Sequence, residues 1–119
     1  MKTIELKKEY RGGNKSTTFS GRSEGADVRK KLELDSIEDS DNQIKVKIPN
    51  DTTSFNPSFF LGLFYESVKK CGTVDAFKSK FTFDLSDFSP ELRDFILEDL
   101  NDCYIRCNNE LNKKTAIDL

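Results

Sequence analysis

The sequence of 119 residues contains no histidine and only three cysteines. Histidine is the usual general base beside a serine or cysteine nucleophile and a frequent metal ligand, so its absence excludes those catalytic pairs and histidine-bearing metal sites. Cys103 and Cys107 lie one helical turn apart without a third cysteine nearby, which makes a poor metal site. We predict buried, unreactive thiols at both positions. We also predict that the chain is not an enzyme, holds no metal and needs no cofactor.

The chain also lacks a basic excess and a long apolar run. Its 19 basic and 21 acidic residues give a net charge of −2, whereas nucleic-acid binders carry a basic surplus. The longest apolar run is too short to span a bilayer, and the opening MKTIELKKEY alternates charged and apolar residues, unlike a signal sequence. An odd number of cysteines without such a signal favours reduced thiols in the cytoplasm. These features predict one cytoplasmic domain over residues 1–119, without a nucleic-acid or membrane partner.

What the chain does contain is an alternation of strand and helix patterns. Alternating apolar residues and turn signals predict strands at 2–9, 15–19, 44–48 and 81–85, the first two forming a hairpin through a turn at 11–14. Helical spacing and capping residues predict helices at 20–34, 57–71, 73–80 and 90–119, the last ending in a short tail. The acidic residues 35–43 are predicted to form a loop. The order β-β-α-β-α-β-α predicts an α/β fold with a single mixed sheet, an N-terminal hairpin and helices packed mainly on one side.

Residues 54–70, SFNPSFFLGLFYESVKK, begin as a polar helix start and continue as the most apolar segment of the chain. Asn56 is placed to cap the helix and Pro57 suits its first position. A stripe spaced by four residues predicts the core residues Phe60, Phe64 and Val68. Phe59 and Leu63 lie on a second face, about 100° away. That face is either covered by a neighbouring helix or exposed as a docking surface, and the sequence leaves both open.

Four segments together resemble the STAS-like domains of unknown function found in bacteria and their phages: FSGRSEGADVRKKL, IKVKIPN, TSFNPSFFLGLF and FKSKFTFDL. The resemblance covers roughly residues 16–85. Its recurrent marks are the Gly-Arg pair before the first helix and the Ser-Phe pair that opens the second. These domains are related to the sulfate-transporter and anti-sigma-factor-antagonist (STAS) fold, so the resemblance implies a mixed sheet with helices mostly on one side.

The resemblance also implies a function. In regulatory STAS domains a partner, a histidine-kinase-like ATPase that acts as a serine kinase, phosphorylates a serine at the start of the second helix. Ser58 holds the matching position, although the Asp-Ser-Ser-Gly type sequence of the antagonists is replaced here by Asn56, Pro57, Ser58 and Phe59. The expectation is a non-enzymatic regulatory protein–protein interaction module resembling an anti-sigma-factor antagonist. It would dock through Asn56, Ser58, Phe59 and Leu63 and be switched by phosphorylation of Ser58.

A second hypothesis comes from SGRSEG at residues 20–25, where Gly21 and Gly25 flank Arg22 at a helix start. Helix starts bind phosphate through unpaired N–H groups, so Gly21 and Arg22 would form the anion site of a small phosphate- or nucleotide-ligand-binding domain. The Lys-Ser/Thr ending of a nucleotide-binding loop is missing, and an ordinary turn and cap explains the same residues. A third hypothesis is a phage-derived accessory or inhibitor protein that binds a host protein through the apolar patch of the second helix. The sequence leaves the oligomeric state open.

Overall fold

Short strands and helices alternate along the chain in a computed structural model that describes residues 1–12 and 15–118, the last five of them by their backbone alone. The strands are β1 (Lys2–Glu5), β2 (Thr18–Phe19), β3 (Ile44–Lys47), β4 (Ser54–Phe55) and β5 (Phe81–Asp84). The helices are α1 (Arg22–Lys31), α2 (Leu34–Ser40), α3 (Pro57–Cys71), α4 (Val74–Lys80) and α5 (Pro90–Asp118), with a 3-10 turn at Lys8–Arg11. The predicted α/β class is confirmed.

The strands form two parallel sheets rather than one mixed sheet. β1, β3 and β5 lie in that order in the larger sheet, and β2 pairs with β4 in the smaller one. The predicted N-terminal hairpin is therefore wrong. The extended segment ends at Glu5, and the 3-10 turn that follows, closed by Gly12 at φ +83°, redirects the chain out of the larger sheet. Residues 13–14 of the predicted turn lie outside the described residues.

The larger sheet has one apolar and one polar face. Its in-register rows are Ile4–Val46–Phe83 and Lys2–Ile44–Phe81 on one side, and Thr3–Lys45–Thr82 and Glu5–Lys47–Asp84 on the other. Successive residues of a strand point to opposite faces, so the two sets of rows face opposite ways. Ile4, Ile44, Val46 and Phe81 are buried. The helices therefore pack on this apolar face, and the polar rows point away from them.

α3 runs through the centre of the core. The predicted stripe of Phe60, Phe64 and Val68 is confirmed, because all three side chains are fully buried. Aromatic rings surround it, and the closest pair is Phe77 stacked on Phe81 with 4.5 Å between ring centroids. α3 begins at the predicted Asn56 cap. At the start of α4, the hydroxyl of Thr73 accepts from the backbone N–H of Ala76 at 3.0 Å.

Two helical segments differ from prediction. α2 occupies residues expected to form an acidic loop, because Leu34 and Glu38 of this helix are buried against α1 and α3. The acidic residues predicted an exposed loop, because a glutamate is rarely buried unless it has a partner elsewhere in the fold. α5 is also longer than predicted and continues as helix to Asp118, through the residues expected to form a tail.

Candidate functional site

The second apolar face of α3 is covered by α1. Phe59 and Leu63 are both 0% exposed. Two glycines let the helices approach: a Cβ on Gly25 would lie 2.2 Å from the carbonyl oxygen of Phe59, and one on Gly62 would lie 1.9 Å from that of Arg22. The prediction that Phe59 and Leu63 form an exposed docking face is therefore wrong, because the neighbouring helix α1 covers them. The two helical glycines were the sequence signal for this contact.

Asn56 and Ser58 form the start of α3. The backbone N–H of Ser58 donates to Oδ1 of Asn56 at 2.9 Å, and the Ser58 hydroxyl donates to the same oxygen at 2.5 Å. Both residues are half-buried. Nearby, the carboxylate of Asp99 on α5 accepts from the backbone N–H of Phe55 at 2.9 Å. The Ser58 hydroxyl thus takes part in the helix start, on a residue that is half-buried.

The starts of α1 and α3 lie side by side. The strands that precede them pair in parallel, with Phe19 beside Phe55, and the backbone N–H of Asn56 donates to the carbonyl oxygen of Phe19 at 2.9 Å. Both helices carry partial positive charge at this edge. The structure therefore brings the segment around Gly21 close to the start of α3.

Carboxylates of the chain itself already occupy that edge. The Glu24 carboxylate lies so close over Gly21 that a Cβ there would be 1.7 Å from its Oε2. The Arg22 guanidinium donates to the carboxylate of Glu110 on α5 at 3.0 Å and lies 5.7 Å from the ring centroid of Tyr65. Gly21 and Arg22 are thus used within the fold, and the nearby negative charges oppose binding of an external anion.

A cleft of about 530 Å³ opens between α1, α2 and α3. Its apolar lining is Ala26, Leu34, Leu61, Gly62 and Tyr65. Its exposed rim carries both signs of charge, from Arg22, Lys30, Glu33, Asp35 and Glu66. Ser58 precedes Leu61, Gly62 and Tyr65 by three, four and seven residues, so it lies about one turn before them on the same side of α3, outside the cleft lining. Sequence reasoning missed this cleft because α2, one of its walls, was predicted as a loop.

A buried polar cluster lies behind the cleft. The Arg29 guanidinium donates to the Leu63 carbonyl oxygen and to the Ser67 hydroxyl, both at 2.8 Å, and to the Glu38 carboxylate at 3.2 Å. The Ser67 hydroxyl donates to Glu38. A serine beside a carboxylate invites a catalytic interpretation, but both side chains are buried and bonded to Arg29. The cluster therefore ties α1, α2 and α3 together.

Ionisation states fit these environments. Hydrogen bonds from Arg29 and then Lys70 lower the pKa of the exposed Asp35 carboxyl. Burial raises the pKa of the Cys103 thiol far above its usual range and that of Cys107 to about 11, and the predicted burial of both thiols is confirmed.

Among the described side chains, no group of three or more potential ligands is placed to hold a metal ion. No helix in residues 1–12 or 15–118 has the length and apolar character needed to cross a membrane.

Comparison with known proteins identifies no relative of this chain. No protein-family model, curated protein or solved structure matches the chain. Its function is therefore inferred from its own surfaces.

Proposed function

We propose that the chain is a non-enzymatic, cytoplasmic regulatory module of the STAS-like kind, which docks a protein partner in the cleft between α1, α2 and α3. The observation that carries this proposal is the cleft itself, with an apolar floor, a rim of both charges and a volume of about 530 Å³. Protein interfaces commonly combine an apolar centre with a polar rim. Docking in the cleft takes the place of docking through Phe59 and Leu63, which lie under α1.

Ser58 is the proposed switch. It is half-buried and lies about one helical turn before the residues of α3 that line the cleft. A phosphate would add a charge of about −1.5 to −2 at neutral pH and would have to displace the hydrogen bond to Asn56. Phosphorylation should therefore disfavour docking through the cost of desolvating the phosphate beside a docked partner.

The proposed partner follows from the STAS-like resemblance: a histidine-kinase-like ATPase that acts as a serine kinase on this domain. The ligand-binding alternative has less support, because Glu24 and Glu110 already use the positive groups at Gly21 and Arg22. Catalysis also has less support, because the Ser67–Glu38 contact is buried and held by Arg29.

The docking proposal is tested by reversing a charge at the rim. Lys30→Glu, on the exposed side of α1, should weaken binding of a histidine-kinase-like ATPase partner by about threefold to tenfold in isothermal titration calorimetry. The matched control is Lys47→Glu on the polar face of the sheet, away from the helices, which should bind like wild type. Equal affinities for the two variants would remove the cleft as the docking site.

The switch is tested by intact mass spectrometry. Incubation with the ATPase and ATP should add one phosphate to the wild-type chain and none to Ser58→Ala, and the phosphorylated chain should lose affinity for the ATPase. A mass gain that persists in Ser58→Ala, or no gain in wild type, would refute the switch. The calorimetric comparison of Lys30→Glu with Lys47→Glu would still test docking in the cleft, because it does not depend on phosphorylation.

A further inference from the structure

Two charges on the rim of the cleft are left to meet a partner. The other three rim charges are already held in ion pairs within the fold, namely Arg22 with Glu110, Asp35 with Arg29, and Glu66 with Lys69. Lys30 and Glu33 are exposed on the same rim, and neither side chain makes an ion pair or hydrogen bond with the side chains that the structure describes. A docked partner would therefore meet one unpaired cation and one unpaired carboxylate.

The backbone of Glu33 is strained. It joins α1 to α2 in the left-handed conformation, with φ +53° and ψ +47°. Within residues 1–12 and 15–118 it is the one residue other than glycine with a positive φ. A Cβ makes this conformation unfavourable, and glycine is the usual residue where a helix ends in this way. The chain thus carries a carboxylate where glycine would fold more easily, and such strained residues are concentrated at functional sites.

The turn around Glu33 is held in place by its neighbours. The N–H of Glu33 donates to the carbonyl oxygen of Lys30 at 3.1 Å, and its own carbonyl oxygen accepts from the N–H groups of Ser36 and Ile37 at 3.1 and 3.2 Å. The next residue, Leu34, is fully buried and anchors the turn in the core. Because the backbone is fixed, the carboxylate is presented at the cleft without the cost of ordering a loop when a partner binds.

We propose, on the basis of the docking function proposed above, that Glu33 selects partners by binding an arginine of the docked segment. A guanidinium donates two parallel hydrogen bonds to a carboxylate, which adds geometric specificity to the attraction of opposite charges. The apolar lining of the cleft takes an apolar side chain of the same segment. Charge complementarity with Glu33 thus defines the partner as a protein segment that carries an arginine beside an apolar residue.

Selection from a random peptide library displayed on phage tests this preference. Glu33→Lys and Asp27→Lys make the same change of charge at two exposed positions, of which only the first lines the cleft. Wild type and Asp27→Lys should enrich peptides with an arginine beside an apolar residue, whereas Glu33→Lys should enrich an aspartate or glutamate in place of the arginine. If wild type and Asp27→Lys enrich no common sequence, or Glu33→Lys enriches the same arginine peptides, the proposal is overturned.

Fluorescence anisotropy with an enriched peptide measures the contribution of Glu33. Glu33→Lys should weaken binding by about tenfold or more, because like charges then meet, and replacing the peptide arginine by glutamate should restore it. Asp27→Lys should bind like wild type. Equal affinities for wild type and Glu33→Lys overturn the role of Glu33 alone if Lys30→Glu still weakens binding. A peptide that is insensitive to Lys30→Glu as well binds elsewhere, and this result overturns docking in the cleft together with the role of Glu33.

Glu33→Gly separates binding from folding. Glycine adopts a φ of +53° without strain, so the Tm measured by circular dichroism should rise by roughly 2–4 °C. The same variant lacks the carboxylate, so its affinity for the peptide should fall by about tenfold. A residue that served only the turn would leave the affinity unchanged while the Tm rose. A folded Glu33→Gly chain that keeps the wild-type affinity therefore overturns the proposal.

Discussion

Replacing Gly62 by alanine tests the close approach of α1 and α3, on which the burial of Phe59 and Leu63 depends. A methyl group on Gly62 would lie 1.9 Å from the carbonyl oxygen of Arg22 and 2.9 Å from the backbone nitrogen of Ala26. Ordinary contact begins at 3.4 Å. The obstacle is the backbone of the facing helix, so no side-chain rotation relieves it, and α1 must move away by roughly 1.5 Å.

The free-energy change combines two opposing effects. Overpacking of a tight core costs about 1–3 kcal/mol, and the rigid backbone obstacle places Gly62→Ala near the upper end. Alanine is better than glycine in a helix by about 1 kcal/mol. We therefore expect the free energy of unfolding to fall by about 2 kcal/mol. With an unfolding entropy of about 2 cal/mol/K per residue, this corresponds to a Tm about 8 °C lower.

Urea unfolding followed by far-ultraviolet circular dichroism measures this loss directly. Asn109→Ala, at an exposed position of α5, should stay within about 0.5 kcal/mol of wild type. Gly72→Ala separates crowding from backbone strain, because nothing lies within 4 Å of its added methyl group although its φ is +95°. If Gly62→Ala is as stable as wild type, or gains the stability that helix propensity alone would give, then the helices are not in backbone contact here.

Three further outcomes follow from the buried groups and their pKa shifts. Arg29→Leu, which leaves the buried Glu38 carboxylate without its guanidinium, should lower the free energy of unfolding by about 3 kcal/mol in urea titration; a loss below about 1 kcal/mol would contradict the cluster. Burial raises the pKa of the Cys107 thiol to about 11, so iodoacetamide at pH 8 should reach the half-buried Cys71 first, and rapid native labelling of Cys107 would argue against its burial. The pKa of the Asp35 carboxyl is lowered in the folded state, so this group stabilises the fold fully above its usual pKa of 3.8, and the stabilisation is lost as the pH falls through the lowered pKa. The Tm should therefore be constant from pH 5 to 8 and fall below pH 4. A decline in Tm that begins above pH 5 would have to come from another group.

Local signals predicted most of the elements. α3 begins after Asn56 and ends before Gly72, as predicted, because helix capping depends on a few adjacent residues. Strand pairing was predicted poorly, since a turn signal near Arg11 favoured a hairpin while β1 pairs with β3 some forty residues away. Parallel partners need a crossover that local patterns do not specify.

The candidate site was harder to predict than the fold because its parts come from three helices. Ser58 could be placed at a helix start from sequence alone. The cleft could not, since α2 depends on the Arg29–Glu38 contact, which joins residues from two helices that local spacing does not connect. Gly25 and Gly62 were the sequence signal for the contact between α1 and α3. Glycine inside a helix lowers helix propensity, and the close approach of the two helices explains why both glycines are tolerated.

The energetics of α1 argue against the predicted docking face of Phe59 and Leu63. Exposing Phe59 and Leu63 to a partner would require α1 to leave α3, at about 1.5–3 kcal/mol for each buried side chain. It would also break the hydrogen bonds of the Arg29 guanidinium to Leu63 and Ser67, at about 1.5–3 kcal/mol each. The sum is comparable to the 5–15 kcal/mol that holds a whole domain folded. A partner can occupy the cleft without that cost, because the three helices that line it remain in place.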